Sequence, residues 1–426
     1  MRDARSVAID ALERVEAGAY AHVMLPSRLR ASGLDARDRA FVTFIVYGSV
    51  REQRRLDALI IPRSHQPLDR LEPRVRAALR IGTFQLLHDV PAHAAVNATV
   101  SAAPPRARGL VNAVLRSVAA AGPPYPESSD LAVRYSYPDW IVAEFRDVVP
   151  RDELEPLLAI GNEPAAVTLR PNPRRTTADA LATELEGQRI RVERGRVVAD
   201  ALVVGGLGDP AELPAVVDGR ATPQDQGSQA VIDVLDPQPG DRVLDVAAAP
   251  GGKATAVGER IGDGLVVATD LHPGRLGLVT QAVARLGLDG VVTPVVGDGR
   301  ALPVAPASFD RVLVDAPCTG LGVLRRRPEA RWRIEPGAVA PLAELQRSLL
   351  QDAAVAVRPG GLLVYSVCTL TRAETTGVAG WAAANLDGFT AIPPPGAPWE
   401  PAGAGGRLLP HRAGTDGMFV CVFRRA

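Results

Sequence analysis

One ten-residue stretch, Leu244–Lys253, dictates much of the architecture of this chain; it reads LDVAAAPGGK. Val243 and Leu244 are apolar and indicate the end of a buried strand, which Asp245 terminates. Pro250 and two glycines predict a tight loop, and Ala254–Val257 then begins a helix. A strand, a glycine-rich loop and a helix in this order are typical of a site for a nucleotide-like cofactor. Glycine lets the backbone approach a ligand closely, and the helix N-terminus offers free N–H groups.

The loop departs from the two common phosphate-binding motifs. A Walker loop has Gly where Ala247 stands and Ser or Thr where Ala254 stands, and the dinucleotide pattern GxGxxG is absent. A second strand, Leu265–Asp270, ends in another acid, which is suited to accept both hydroxyls of a ribose. We therefore predict a site for S-adenosylmethionine, which carries no phosphate; a purely structural turn is the alternative. The six histidines show no zinc-like pairing, so no metal is expected.

Strands and helices alternate from residue 223 to residue 426, which predicts a catalytic α/β domain of the Rossmann-like kind. The alternation implies an open, mostly parallel sheet with its ligands at the carboxyl ends of the strands. Asp298 follows one of these strand ends and is placed to receive the adenine amino group, although a loop-turn aspartate is the alternative. The expected strand ends are Asp245, Asp270, Gly297, Asp315 and Tyr365-Ser366.

An all-α bundle is predicted for residues 1–122. Residues 4–20 carry apolar side chains at helical spacing, and Asp35 and Pro73 are placed to begin further helices. Two more helices are expected at Ala94–Ala102 and Gly109–Ala121, before Gly122-Pro123-Pro124 ends the bundle.

A small α+β module is predicted for residues 130–222. Val167–Asn172 and Val197–Val204 are expected to form strands, and Thr177–Leu185 a helix. Arginines 170, 174 and 175 accompany the first strand. They are suited to contact phosphates, and a solvated charged edge is the alternative.

Composition restricts the class of protein. The 426 residues carry no net charge, but residues 1–130 hold 18 basic and 13 acidic side chains, a balance of +5, and a clustered basic surface suits RNA. Lys253 is the single lysine, so a compact ammonium has been kept in the cofactor loop of an arginine-rich chain.

Met1-Arg2-Asp3 is charged with no apolar stretch behind it, and no apolar run approaches a membrane span. We expect a cytoplasmic monomer without membrane contact.

Two cysteines occupy neighbouring strand ends. Asp315-Ala316-Pro317-Cys318 follows one strand, and Ser366-Val367-Cys368-Thr369 follows the next. The odd total of three cysteines argues against a disulfide framework and favours a thiol role. Carbon 5 of a pyrimidine is a poor nucleophile, but addition of a thiolate to carbon 6 makes it reactive toward a methyl sulfonium. An acid near ring nitrogen 3 then stabilises the resulting charge, so this set predicts covalent catalysis. Cys421 is expected in the core.

Two resemblances agree with this interpretation. The segments 38–42, 48–51 and 109–116 resemble the NusB family of RNA-binding helical domains, although a helical spacer would look alike. Residues 225–426 resemble the Sun/Fmu (RsmB-like) RNA cytosine-5 methyltransferases, and with the NusB-like start the whole chain resembles their bacterial 16S rRNA members. The motifs that match are Ala247–Lys253, Asp270, Asp298, Asp315–Cys318 and Tyr365–Thr369.

The resemblance implies a role for each matching residue. Cys368 would be the nucleophile, Cys318 would assist release of the methylated base, and Asp315 would hold the cytosine. S-adenosylmethionine would be bound by Ala247, Ala248, Ala249, Pro250, Gly251, Gly252, Lys253, Asp270, Asp298 and Asp315. The chain departs from the family at Val367, where Thr is usual, and at Ala247, where Cys is frequent; neither change removes a reacting group. The implied partner is 16S rRNA, either naked or in an assembling small subunit.

Two further points complete the expectations. Arg325–Arg327 and Arg331-Trp332-Arg333 follow the Cys318 loop, and arginines interleaved with an aromatic residue are suited to phosphate contact and base stacking; a solvated charge run is the alternative. A ribosome-assembly factor with a vestigial methyltransferase fold would lack the intact Asp315, Cys318 and Cys368 set. A small-molecule or protein methyltransferase would explain neither the paired thiols nor the helical domain.

Overall fold

The computed structural model describes residues 3–426, so Met1 and Arg2 of the charged start lie outside the described residues. The chain divides into two compact units. The first runs to Pro164 and also includes Leu324–Ile334; the second comprises Ala165–Val323 and Glu335–Ala426. No helix within residues 3–426 has the length and apolar character needed to cross a bilayer.

The first unit is helical, as predicted. Asp35 caps α3 by accepting a hydrogen bond from the backbone N–H of Asp38. The predicted helices are confirmed, whereas α2, which contains Pro26, and the short α4 were not predicted. The helices up to Pro164 are α1 (Ala4–Glu16), α2 (Ala21–Arg30), α3 (Ala36–Arg51), α4 (Gln53–Ile60), α5 (Pro73–Leu87), α6 (Ala92–Ala102), α7 (Arg108–Ala121), α8 (Leu131–Arg134), α9 (Asp139–Arg146) and α10 (Arg151–Ile160).

This unit extends beyond residue 122 because α8–α10 join the bundle. The backbone N–H of Arg54 donates to Oγ of Ser136 over 2.8 Å, and its guanidinium donates to the carbonyl of Tyr137 over 2.7 Å. The same guanidinium pairs with Asp139 at 2.8 Å. The compact unit therefore includes residues up to Pro164 that were predicted from the sequence to belong to the following module.

The second unit begins with a small antiparallel sheet. Its strand order is β2-β3-β1-β4, and its core includes Leu169, Leu181, Leu185 and Leu202. The second predicted strand is shorter than expected, and β2 was missed because its side chains are mostly exposed and carry no apolar alternation. The elements are β1 (Val167–Pro171), α11 (Ala178–Gly187), β2 (Arg191–Arg194), β3 (Leu202–Gly205), α12 (Pro214–Val217) and β4 (Ala221–Pro223).

The remaining elements follow in chain order, with short 3-10 turns between some of them. They are α13 (Gln226–Leu235), β5 (Arg242–Val246), α14 (Gly252–Arg260), β6 (Leu265–Asp270), α15 (Pro273–Leu286), β7 (Val292–Val296), β8 (Phe309–Asp315), α16 (Ala330–Arg333), α17 (Val339–Ala356), β9 (Val357–Val367), α18 (Thr376–Asn385), β10 (Phe389–Ala391), β11 (Glu400–Ala402), β12 (Gly405–Leu408), α19 (Pro410–Ala413) and β13 (Met418–Arg425). Of these, α16 belongs to the first unit.

The large sheet has the order β11-β12-β13-β9-β8-β5-β6-β7, with β10 paired to β13. The five strands from β9 to β7 are parallel, as predicted. The sheet as a whole is mixed, because β13 pairs antiparallel with β9 and the short strands β10–β12 extend that side. The fold is therefore a helical domain, a small linking module and a Rossmann-like sheet with an antiparallel edge.

Candidate active site

Three acidic residues lie along one edge of the parallel sheet, and two of them, Asp270 and Asp315, were predicted for the site. Asp245, Asp270 and Asp315 stand at or next to the carboxyl ends of β5, β6 and β8, and Ser366 lies opposite Asp315 in the register of β8 with β9. The carboxyl ends of parallel strands meet at the same edge, where ligands of open α/β sheets bind. The topology thus brings the cofactor loop and both cysteine loops to one place.

The loop between β5 and α14 has the tight geometry that its glycines predict. Ala247 and Gly251 have positive φ angles of 63° and 100°. A Cβ atom on Gly251 would lie 3.2 Å from Cα of Val279, so both the dihedral angle and the close packing of α15 require glycine there. The helix α14 begins at Gly252, which places its N-terminus at the loop.

Asp270 is buried, with 3% of its surface exposed. Its Oδ2 accepts from the backbone N–H of Ala249 over 3.3 Å, and its Oδ1 accepts from the N–H of His272 over 2.9 Å. These bonds fix the carboxylate beside the glycine-rich loop. Each oxygen keeps a second lone pair, so the residue can also accept the two hydroxyls of a ribose.

Asp245 provides a test of whether this site fits S-adenosylmethionine. The residue is buried, and the backbone N–H of Ala254 is near enough to lower its pKa, but neither carboxylate oxygen accepts a hydrogen bond of normal geometry among residues 3–426. Burial and the nearby charge of Asp315 raise its pKa well above the usual range, although Lys253 opposes this shift. An unsatisfied buried acid calls for a cationic or hydrogen-bond-donating ligand, and the ammonium and sulfonium of S-adenosylmethionine meet that need. The sequence analysis gave Asp245 no ligand role.

The side of the site next to β7 combines an acid with apolar surface. Asp298 accepts hydrogen bonds from the backbone and guanidinium of Arg300, which lower its pKa to about 2. Leu271 and Val296 are 52% and 53% exposed at adjacent strand ends. Exposed apolar side chains at a strand end suit the face of an adenine. The sequence analysis missed both, although an apolar residue directly after a strand-ending acid is a readable signal.

Lys253 lies on the catalytic side of its loop. Its Nζ is 2.7 Å from Oδ2 of Asp315, while Oδ1 of Asp315 accepts from the hydroxyl of Ser366 over 2.7 Å. Burial would lower the pKa of Lys253, but the charges of Asp315 and Cys368 raise it overall. The lysine predicted for cofactor binding therefore also fixes the acid at the end of β8.

The two predicted catalytic cysteines are in contact. Sγ of Cys318 lies 3.4 Å from Sγ of Cys368, and both side chains are partly exposed. The hydrogen bond to Cys368, burial, and the charges of Cys368 and Glu374 raise the pKa of Cys318 well above its usual range. Cys318 is thus held as a neutral thiol. Cys421 is buried in the sheet core, as expected, and burial raises its pKa.

Arg170 is buried, so it fits neither of the two roles considered for it from the sequence, phosphate contact or a solvated charged edge. Its side chain is 5% exposed and forms an ion pair with the buried Glu259, with two N–O distances of 2.9 Å. It also donates to the carbonyl of Gly252 over 2.8 Å and to Thr255 over 3.2 Å. Arg170 therefore supports the first turn of α14 from within β1.

The arginines after the Cys318 loop are also mostly structural, contrary to the RNA contact predicted for them. Arg331 is completely buried, and its guanidinium lies 4.1 Å from the ring centre of Tyr137. Trp332 donates to the carbonyl of Val50 over 2.7 Å. Arg331 donates to the carbonyls of Arg51, Ser136 and Gly161 and to the side chain of Asn162; Arg325 and Arg333 donate to the carbonyls of Pro164 and Val15, respectively.

Within this run Arg327 remains exposed. The run belongs to the first helical unit, where it satisfies helix-end carbonyls. A charged stretch that reads as an RNA contact is therefore largely internal.

Family models match three consecutive parts of the chain. The NusB family matches residues 2–120, a ferredoxin-like domain of RsmF/B-type methyltransferases matches residues 137–208, and the 16S rRNA methyltransferase RsmB/F model matches residues 232–424. A putative methyltransferase of Mycobacterium tuberculosis is 39% identical over 99% of this chain and 96% of its own length. A probable ribosomal RNA small subunit methyltransferase B of Bacillus subtilis is 33% identical over 99% and 98%.

Solved structures show the same fold. The crystal structure of PH0851 covers 100% of this chain and 99% of its own, with a TM-score of 0.87 and 26% identity. NSun6 from Pyrococcus horikoshii, determined with the S-adenosylmethionine analogue SFG, covers 68% of this chain and 99% of its own, with a TM-score of 0.62 and 22% identity.

Proposed function

The chain belongs to the RsmB/F family of S-adenosylmethionine-dependent 16S rRNA methyltransferases, and from this premise we propose that it methylates carbon 5 of a cytosine in 16S rRNA through a covalent bond to Cys368. The observation that carries the proposal is the 3.4 Å contact between the sulfurs of Cys318 and Cys368 beside the Lys253–Asp315 ion pair. A nitrogen or oxygen acceptor would need no pair of thiols, whereas an unreactive ring carbon needs a nucleophile to activate it.

The residues divide the chemistry between them. The Cys368 thiolate forms a bond to carbon 6 of the cytosine, which moves electron density to carbon 5 and ring nitrogen 3. Nitrogen 3 takes up a proton from solvent, and Asp315, whose carboxylate is paired with Lys253, is expected to accept a hydrogen bond from that N–H and so to stabilise the charge that addition creates. S-adenosylmethionine, when bound, supplies the methyl group. Solvent then accepts the proton of carbon 5, the bond from carbon 6 to Cys368 breaks as nitrogen 3 gives its proton back to solvent, and the neutral thiol of Cys318 donates a hydrogen bond to the departing Cys368 thiolate.

Electrostatics supports this assignment of the two thiols. The hydrogen bond to Cys368, followed by burial, raises the pKa of Cys318, so this thiol stays protonated. The charge of Cys368 contributes to the raised pKa of Lys253, so an ammonium stands near the sulfur that must ionise. The thiolate is the reactive form, and the two environments therefore favour Cys368 as nucleophile and Cys318 as a thiol that acts later.

We assign RNA placement to the NusB-like helices. Residues 1–130 carry 18 basic and 13 acidic side chains, and Arg37, Arg39 and Arg116 are exposed. Such side chains release counterions on binding phosphates, which makes affinity dependent on salt. Replacing Arg37 and Arg116 together should reduce the slope of log K against log salt by about 2, without changing affinity for S-adenosylmethionine.

The decisive experiment maps 5-methylcytosine in 16S rRNA from a strain that lacks this protein. We expect one cytosine to lose its methyl group and to regain it with the wild-type protein but not with Cys368→Ala. An unchanged methylation map would overturn the proposal. A second outcome would favour the alternative function. If the wild-type strain showed no methylation that depends on this protein, and Cys368→Ala still restored normal assembly of the small subunit, the chain would be an assembly factor with a vestigial methyltransferase fold.

A further inference from the structure

We propose that Glu374 is a positioning residue whose buried carboxylate ties the Cys318 loop to the Cys368 loop and thereby holds the two sulfur atoms in contact. The use of these sulfurs in catalysis rests on the proposed function, whereas the contacts themselves do not. Glu374 lies six residues after Cys368 and is completely buried. A buried carboxylate is costly unless hydrogen bonds surround it, so its partners indicate what it stabilises.

The partners of Glu374 come from both cysteine loops. Its Oε1 accepts from the backbone N–H of Thr319 over 2.9 Å, and its Oε2 accepts from the Thr319 hydroxyl over 2.6 Å. Oε2 also accepts from the hydroxyl of Thr371 over 2.8 Å. Thr319 directly follows Cys318, and Thr371 stands three residues after Cys368. One carboxylate is thus shared between the chain segments that carry the two thiols.

A second layer fixes this carboxylate to the sheet. Nε2 of Gln346, on α17, donates to Glu374 over 3.1 Å and to the carbonyl of Pro317 over 2.9 Å. The hydroxyl of Tyr365, on β9, lies 2.6 Å from the carbonyl oxygen of Glu374 and 2.9 Å from Oε1 of Gln346. The residues on both sides of Cys318, Pro317 and Thr319, are therefore held by the same network.

The arrangement resists separation of the loops. If the Cys318 loop moved away, Glu374 would lose two donors from Thr319 while it remained buried, and an unsatisfied buried charge is unfavourable. The hydroxyls of Thr319 and Thr369 also lie 2.7 Å apart, which adds a direct bond between the loops. The charge of Glu374 contributes, after the hydrogen bond to Cys368 and burial, to the raised pKa of Cys318. Glu374 thus helps to set the position of this thiol and adds a smaller contribution to its raised pKa.

The first test measures how close the sulfurs stay, independently of catalysis. Diamide first adds to one thiolate, and the second thiol then displaces the reduced diamide as a hydrazine, so the rate of this second step, which forms the Cys318–Cys368 disulfide, reports the effective concentration of the two sulfurs. We expect Glu374→Gln to slow this reaction by about 10- to 100-fold, with Thr371→Val intermediate. Glu344→Gln, an exposed acid on α17, is the matched control and should behave as wild type. Equal rates in Glu374→Gln and wild type would overturn the proposal.

The second test links position to chemistry. RNA containing 5-fluorocytidine should trap the covalent adduct, since fluorine at carbon 5 cannot leave as the proton does. Glu374→Gln should form this adduct about 10- to 100-fold more slowly, with unchanged affinity for S-adenosylmethionine and for RNA, and Glu374→Asp should recover part of the rate. If Glu374→Gln also lost affinity for the cofactor, the substitution would have disturbed the whole site and not only the two cysteine loops, and a positioning role would be refuted. No adduct with the wild type would refute the proposed function, while the diamide rates would still decide on Glu374.

Discussion

Nζ of Lys253 lies 2.7 Å from Oδ2 of Asp315, which joins the cofactor loop to the end of β8. In the proposed function, this ion pair links the only lysine of the chain, in the loop proposed for the methyl donor, to the acid assigned to the cytosine. Both side chains are largely buried, at 11% and 31% exposed, so each depends on the other for compensation of its charge. The pair is therefore expected to matter for catalysis more than for the binding of either substrate.

Replacing Lys253 by Met should lower the rate of adduct formation by about 100-fold. The substitution leaves Asp315 without its cation and removes the ammonium near Cys368, so the pH profile of adduct formation should move to higher pH. Single-turnover rates at several pH values measure both effects. Lys253→Arg keeps the positive charge but has a side chain of different shape. We expect its pH profile to match that of the wild type, while its rate of adduct formation stays below the wild-type rate. An unshifted profile in Lys253→Met would contradict this prediction.

Replacing Asp270 by Ala should weaken the binding of S-adenosylmethionine by roughly 1.5–3 kcal/mol, because the ribose would lose a charged hydrogen-bond acceptor. Titration calorimetry on the RNA-free protein measures the change. Asp298→Ala is the comparison, and we expect a smaller loss since Arg300 already occupies that carboxylate. Unchanged affinity in Asp270→Ala would remove Asp270 from the cofactor site.

Replacing Asp245 by Asn should stabilise the ligand-free protein and weaken cofactor binding. Burial raises the pKa of Asp245, so its folded form holds a proton more tightly than the unfolded chain does. The stabilising contribution of the protonated Asp245 carboxyl group is fully present below the pKa of the unfolded chain, about 3.9. That contribution is lost as pH rises through the higher pKa of the folded protein. The gain in the free energy of unfolding should therefore grow with pH to about 1–3 kcal/mol. Denaturant unfolding from pH 4 to 8 measures it, and a loss of stability at neutral pH would refute the argument.

Variants of the two thiols to which we assign catalytic roles should fail in different ways. Cys368→Ala should be inactive and form no adduct, because the nucleophile is gone. Cys318→Ala should add to the base and methylate it, but stall with RNA attached because release is impaired. A denaturing gel with labelled RNA separates these outcomes: a shifted band is expected for Cys318→Ala alone. The reverse pattern would exchange the roles, and no band in either would leave covalent catalysis without support.

Replacing Arg331 by Ala should destabilise the first helical unit by roughly 3–5 kcal/mol. The substitution leaves the carbonyls of Arg51, Ser136 and Gly161 without their buried donor and removes the contact with the ring of Tyr137. Urea unfolding followed by circular dichroism measures the loss. The exposed Arg327 is the control, and Arg327→Ala should change stability by less than about 0.5 kcal/mol. If both variants were equally stable, Arg331 would have no structural role, and RNA contact would again be the preferred interpretation of this residue.

The local sequence pattern was sufficient to predict the parallel strands and the residues at their carboxyl ends. Strand periodicity, a glycine-rich loop and an acid at each strand end are local properties, and parallel topology brings such ends together. Asp270, Asp315, Cys318 and Cys368 therefore fall at one edge, as the sequence analysis expected. The short strands β10–β12 were missed because segments of three or four residues carry too little periodicity.

The amino-acid sequence by itself determined the order of the helical, linking and methyltransferase regions and predicted the chemistry that we propose for the two thiols. Only the tertiary structure decided which charged residues face inward. The sequence favoured an RNA contact for Arg331 and left phosphate contact or a solvated edge open for Arg170. In the structure Arg170 pairs with Glu259, and Arg331 donates to distant carbonyls. The sequence around Glu374 did not predict its role, because its hydrogen-bond partners Thr319 and Gln346 lie 55 and 28 residues away along the chain. Burial of a charge depends on contacts between distant segments, and local pattern carries no information about them.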